Sequence, residues 1–135
     1  MYNNLIKISC LFIFLLNPAT SYALEDYICT IVDAFQVDEK GKRIDHILQS
    51  SIGNSFTVNR KTGIMSGSLH NSYLNIPTVI DEGSANNSFK VFNSMSTQFT
   101  SNTYSLTIEE FTTGVNKPFV FLNNADIYYG ICKYF

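Results

Sequence analysis

The stretch Tyr27-Ile28-Cys29-Thr30-Ile31-Val32-Asp33-Ala34-Phe35-Gln36-Val37 decides the fold. Tyr27, Cys29, Ile31, Phe35 and Val37 share one parity, interrupted by Asp33. Side chains two apart lie on one face of an extended chain, so this pattern predicts a half-buried β-strand. The strand should end at Val37, because Asp38-Glu39-Lys40-Gly41-Lys42 is polar and carries a glycine. The same period recurs downstream. Phe56 and Val58 alternate with Thr57 and Asn59, and Tyr104, Leu106 and Ile108 alternate with Ser105 and Thr107. Asn59-Arg60-Lys61-Thr62-Gly63 precedes the strand-like Ile64–Leu69 and reads as a hairpin loop, a type I turn closed by a left-handed glycine.

Further strands are predicted at Phe89–Phe92, Thr103–Phe111, Phe119–Leu122 and Asp126–Tyr134. Thr112–Pro118 is a turn, Asn123-Asn124 separates the last two strands, and the polar stretch Pro77–Ser88 reads as a loop. After residue 23 no sustained 3.6-residue apolar stripe occurs, and Ile44–Leu48 is the one place for a helical turn. The expectation is an all-β domain: a small antiparallel barrel or sandwich of about seven to eight strands closed by one disulfide. A closed or nearly closed barrel also removes bare sheet edges.

The disulfide follows from the cysteines. Cys29 lies in the first predicted strand and Cys132 in the last, while Cys10 lies upstream in an apolar run. Two cysteines in an exported domain most simply bridge each other, the alternatives being free thiols or a bridge to another chain. A loop of about 100 residues closed in this way is stabilised by about 4.7 kcal/mol in the chain-entropy model. The bridge requires the two Cα atoms to come within about 7 Å, so the two ends of the domain must be neighbours.

Residues 1–23 have the layout of a secretory leader. Lys7 gives a positive start, Ile8–Leu16 is apolar, Asn17-Pro18 breaks the run, and Ser21 and Ala23 are small residues at −3 and −1. Cleavage after Ala23 leaves residues 24–135 as a single β domain in a periplasmic or secreted location. An uncleaved anchor is the weaker reading, because Leu5–Leu16 falls short of the roughly 20 apolar residues a spanning helix needs. No stable membrane anchor is expected. Cys10 stands at the start of the run, where a lipoprotein cysteine would follow it.

Charge narrows the partners. Nine Lys+Arg stand against eleven Asp+Glu, a net charge of −2, and loss of Lys7 makes the domain slightly more acidic. With no basic cluster, nucleic acid and anionic lipid surfaces are not expected partners.

Catalytic patterns are absent from the sequence. His46 and His70 have no metal-ligand spacing, and no G-x-S-x-G occurs; Gly67-Ser68-Leu69-His70 is a chance-grade match. No phosphate-cradling glycine loop is visible. A Ser/His/Asp site assembled from distant residues is defined by geometry, which spacing does not reveal. Asn86-Asn87-Ser88 matches a glycosylation sequon. The expectation is a non-enzyme without cofactor or metal.

Three places break the pattern. Glu110 continues the parity of Tyr104, Leu106 and Ile108. Either a bulge or strand end leaves Glu109 and Glu110 solvated, or Glu110 is an inward acid lining a pocket. Phe119-Val120-Phe121-Leu122 is apolar on both faces, which fits a central or covered strand, or an exposed binding edge. Tyr128-Tyr129 places one ring on each face, one to pack and one at the surface. Candidate binding residues are therefore Arg60, Lys61, Glu110, Tyr128 and Tyr129, with the Pro77–Ser88 loop.

Tyr27-Ile28-Cys29, the run Phe56–Gly67, Ser88-Phe89-Lys90-Val91 and Gly130-Ile131-Cys132 resemble small exported bacterial proteins of uncharacterised function. That resemblance implies no activity. The size, leader, early Tyr-x-Cys and late cysteine are more loosely similar to periplasmic inhibitors of C-type lysozyme, which are small β-barrels. Those carry tryptophan-containing strands and a Ser/Lys inhibitory loop; this chain has no tryptophan, and no inhibitory residue is carried over. The functional expectation is an exported binding or inhibitor module for an unidentified protein or envelope glycan. The alternative is a structural accessory subunit of an envelope assembly, working through an apolar strand edge such as Phe119–Leu122.

Overall fold

A computed structural model describes residues 24–45 and 48–135; the leader read in residues 1–23, and His46, lie outside them. The fold is all-β. Among the described residues nine strands run in chain order: β1 Tyr27–Val37, β2 Arg43–Ile44, β3 Ser55–Val58, β4 Met65–Gly67, β5 Thr78–Glu82, β6 Phe89–Ser96, β7 Ser101–Ile108, β8 Lys117–Asn123 and β9 Asp126–Tyr134. All pair antiparallel in one sheet of order β4-β3-β1-β9-β8-β7-β6-β5, with β2 pairing the far end of β1. The sheet curls into a half-barrel.

The order divides the chain into two local meanders. β1 to β4 form one and β5 to β9 the other, and the β1–β9 ladder joins them. Cys29 and Cys132 are register partners in that ladder, with Cα atoms 3.9 Å apart, and they form the disulfide. The first and last strands are neighbours, as expected, but they meet in the middle of the sheet. Its edges are β4 and β5.

β1 contains a bulge between Ile31 and Asp33. One extra residue shifts the parity, which explains the interruption seen in the sequence. Ile31 and Ala34 both enter the core, while Phe35, expected there, turns outward beneath the Arg43 guanidinium, 4.4 Å from its ring centre. Gly130 faces the bulge. A Cβ at that position would lie 2.1 Å from the Thr30 carbonyl oxygen, so the close approach of β1 to β9 requires glycine.

The concave face holds the core: Tyr27, Ile31, Phe56, Val58, Met65, Phe89, Val91, Leu106, Ile108, Phe119 and Phe121 are buried. Phe56 meets Phe119 edge-on across the curl, with ring centres 5.2 Å apart. The open seam between β4 and β5 is closed by side chains. The Asn59–Gly63 hairpin turn forms as expected, with Gly63 left-handed (φ 74°) and pressed against Val91 and Val79. Asn71 is buried beside β4: its Oδ1 accepts from the Met65 N–H at 2.9 Å and its Nδ2 donates to the Gly63 carbonyl at 2.9 Å. Asn93 Nδ2 of β6 then donates to the Asn71 carbonyl. One carboxamide thus stands in for a missing ladder.

Several boundaries differ from expectation. Thr78–Glu82 is a strand where a loop was expected; it is a bulged edge whose burial alternates only between exposed and half-buried, and its residues show no apolar–polar alternation. β7 ends at Ile108, short of Phe111, and β6 runs on to Ser96. Of the stretch Ile44–Leu48, Ile44 belongs to β2 and residues 46 and 47 lie outside the described residues; a 3-10 turn follows at Gln49–Ser51.

Replacing both Cys29 and Cys132 by alanine should lower unfolding free energy by about 4 kcal/mol, because the unfolded chain regains the freedom of a loop of about 100 residues. Urea denaturation of the variant against the oxidised protein measures this. Asn71→Ala should cost about 2–3 kcal/mol by leaving the Met65 N–H and Gly63 C=O without their partner, read from the shift of the urea midpoint.

Candidate functional site

The two ends of the half-barrel differ in chemistry. At the end where β1 starts and β9 finishes, Glu110 is buried, 6% exposed. Glu109 stays in the ladder through its N–H to the Pro118 carbonyl, and Glu110 then turns tightly, its N–H bonding the Ile108 carbonyl. The carboxylate enters the core end. It accepts hydrogen bonds from the Tyr27 and Tyr134 hydroxyls, and Arg60 Nη1 lies 3.6 Å from Oε1. The inward reading of Glu110 is the one the structure takes, and the solvated reading is corrected. Its partners are internal groups rather than a pocket.

Arg60 is buried as well. Its guanidinium donates to the Glu82 carbonyl at 3.1 and 3.0 Å, its backbone N–H donates to Asp26, and it lies over the Tyr27 ring. Lys117 is buried and donates to the Glu110 and Thr112 carbonyls at 2.9 and 2.6 Å. Buried charges need partners: Arg60 and Glu110 face each other at 3.6 Å, and the Lys117 ammonium is held by two backbone carbonyls. Burial, then the hydrogen bond to Glu110, pushes the Tyr27 hydroxyl far above its usual range; Tyr134 shifts the same way for the same reasons. This end locks the hairpin turn, the strand termini and the seam together. Lys61, next to Arg60, is exposed at the same end.

The opposite end is open. Gln36, Tyr73, Leu74, Met95, Asn102, Tyr104, Asn123, Asn124, Ala125 and Asp126 line a concavity of about 670 Å³. The bulge in β1 delivers Gln36, the β8–β9 turn delivers Asn123 to Asp126, and the β4–β5 connection delivers Tyr73 and Leu74. A ladder of rings runs from the concavity into the core: Tyr73 to Tyr104 at 6.1 Å, both lining it, then Tyr104 stacked on Phe121 at 6.4 Å and Phe121 to Tyr128 at 6.0 Å beneath it. Asn124, left-handed at φ 53°, accepts from the Thr103 N–H and donates to Asn102 Oδ1 at 2.7 Å. Gln36 donates to Asp126; burial, then the Asp126 carboxylate, raises the Tyr128 hydroxyl above its usual range. Tyr73 is 63% exposed. Among the described residues, neither its hydroxyl nor the Asn123 carboxamide has a hydrogen-bond partner.

Tyr128 and Tyr129 point to opposite faces, as expected. Tyr128 packs in the core below the concavity; Tyr129 lies half-buried on the outer face, and its hydroxyl donates to Asp33. The Arg43 guanidinium, then the Tyr129 hydroxyl, hold the Asp33 carboxyl below its usual range. Phe119–Leu122 is no edge: β8 pairs with β7 and β9 on both sides. Phe119 and Phe121 are core, whereas Val120 and Leu122 are 46% and 39% exposed on the outer face.

Of the residues singled out in the sequence, Arg60 and Glu110 come together, and Lys61 sits beside them; Tyr128 packs beneath the concavity without lining it. The concavity itself escaped sequence reading. Its residues are common types at strand ends and in one loop, and topology alone assembles them. His70 is exposed beside Tyr73, ring centres 6.0 Å apart, and His46 lies outside the described residues. Among the described residues no group of three His, Cys, Asp or Glu gathers to hold a metal, and no helix is long and apolar enough to cross a membrane.

Compared with known proteins, the chain matches no family model, and no curated protein or solved structure is significantly similar to it.

Tyr27, Tyr104, Tyr128 and Tyr134 all have hydroxyls raised by burial above the usual value. Their neutral forms stabilise the fold in full below about pH 10, the unfolded tyrosine value, and stability falls above it as the unfolded chain releases protons first. Absorbance titration at 295 nm should show these tyrosines ionising late, together with loss of the fold. Tyr27→Phe should remove part of that coupled step.

Proposed function

We propose that the protein is an exported, non-catalytic binding module that takes its ligand at the concavity between Gln36, Tyr73, Asn102 and Asp126. The observation carrying this reading is the contrast between the two ends. The polar groups around Glu110 bond one another, while the open end exposes the Tyr73 side chain and one carboxamide, Asn123, without an internal partner among the described residues. Concave sites with a mostly apolar floor and a few converging polar groups are where small ligands and chain segments bind. Export rests on the leader-like residues 1–23 and on the Cys29–Cys132 disulfide, which persists in oxidising compartments. The envelope ligand is a protein or a glycan.

A second reading, an accessory subunit of an envelope assembly, is favoured by the exposed outer-face residues Ile28, Val32, Val120 and Leu122. Light scattering on the purified protein separates the two, since a clean monomer counts against an obligate subunit.

Capture from an envelope extract tests the first reading. The native domain should retain a specific component, and Tyr73→Ala should lose most of it, while Lys61→Ala, at the far end, should retain it. Equal capture by both variants contradicts a site at the concavity. The exported protein should have the mass of residues 24–135 with both cysteines oxidised.

A further inference from the structure

We infer that the concavity recognises a neutral saccharide. This rests on the reading above and names the chemistry of its ligand. The lining contains no lysine or arginine, so nothing there neutralises a phosphate, sulfate or carboxylate. Its one carboxylate, Asp126, accepts from Gln36, and a single carboxylate is no acidic set for a cation. Apart from the Tyr73 and Tyr104 hydroxyls, the remaining polar side chains are carboxamides: Gln36, Asn102, Asn123 and Asn124. A carboxamide presents a donor and an acceptor side by side. A sugar hydroxyl is also both donor and acceptor, so adjacent hydroxyls on a pyranose match that pair without any change of charge.

The apolar part of the site fits the same ligand. Tyr73 and Tyr104 rings stand 6.1 Å apart in the lining, and Tyr73 as a residue is 63% exposed. An aromatic face carries partial negative charge, and the axial C–H bonds of a pyranose form a flat, weakly positive face that packs against it. The volume of about 670 Å³ lies in the range of small-ligand sites, about 300–1,000 Å³. The preset amides add affinity because little ordering remains to be done: Asn124 is fixed by Thr103 and Asn102, and Gln36 by Asp126.

The test uses the intact exported chain and an immobilised panel of neutral oligosaccharides of hexoses and N-acetylhexosamines, with hits titrated calorimetrically. At least one structural class should bind with Kd between about 10 μM and 1 mM. Tyr73→Ala should weaken it at least about tenfold, Tyr73→Phe should keep most of the affinity, and Tyr73→Leu should not, because the ring face and not bulk apolarity is required. Asn123→Leu is the second variant, at a carboxamide with no internal partner, and should also weaken binding. Saccharide binding that none of these variants moves overturns the inference. If no panel member binds while Tyr73-dependent capture of a protein from envelope extract persists, the concavity is a polypeptide site: the saccharide inference fails and the binding-module reading stands. If neither occurs, both fail.

Discussion

The antiparallel ladder between β1 and β9 is the joint on which this molecule hangs. It runs from Tyr27 opposite Tyr134 to Phe35 opposite Ile127 and ties together two meanders that are otherwise local in sequence. Every strand of the first meander reaches the sheet through β1 and every strand of the second through β9. Such a joint brings together residues about 100 apart, which costs loop-closure entropy before any contact rewards it. The disulfide between register partners Cys29 and Cys132 removes much of that cost from the folded side by restricting the unfolded chain.

The joint also divides the labour between the two ends. Toward Tyr27 and Tyr134 the strand termini converge with Arg60, Glu110 and Lys117, and charge is buried in a closed network that fixes the seam. Toward Gln36 and Asp126 the bulge at Val32 has already re-aimed β1. The side chain after Phe35 points into the concavity instead of away from it. The bulge, tolerated because Gly130 lets the backbones approach, is thus a local irregularity with a consequence at the far end.

Much of the fold was legible because burial imposes period two. β1 and β9 have the bounds expected from alternation, and the Asn59–Gly63 turn follows from its residues. Glu110 carried a true signal: its parity pointed inward, although β7 ends at Ile108, and a tight turn completes the motion. Other features left no local trace. Thr78–Glu82 is an exposed, bulged edge whose two faces have no contrast in polarity. Asn71 looks like any loop asparagine, yet it replaces two ladder bonds. Phe35 reads as core until the bulge reverses it. The concavity is drawn from Gln36, Tyr73, Asn102 and Asp126, residues that only a non-local ladder makes neighbours.

The central claim is that stability is concentrated at the β1–β9 joint and the locked end, and is lower in the loops flanking the concavity. Native-state amide hydrogen exchange reads this residue by residue. The slowest amides should lie in β1 and β9 around Cys29 and Cys132 and exchange only through global unfolding. Amides of Tyr73–Asn75 and of the Thr97–Thr100 turn should open at far lower free energy. Exchange of the β1 amides through sub-global opening, with β9 still protected, would contradict the account.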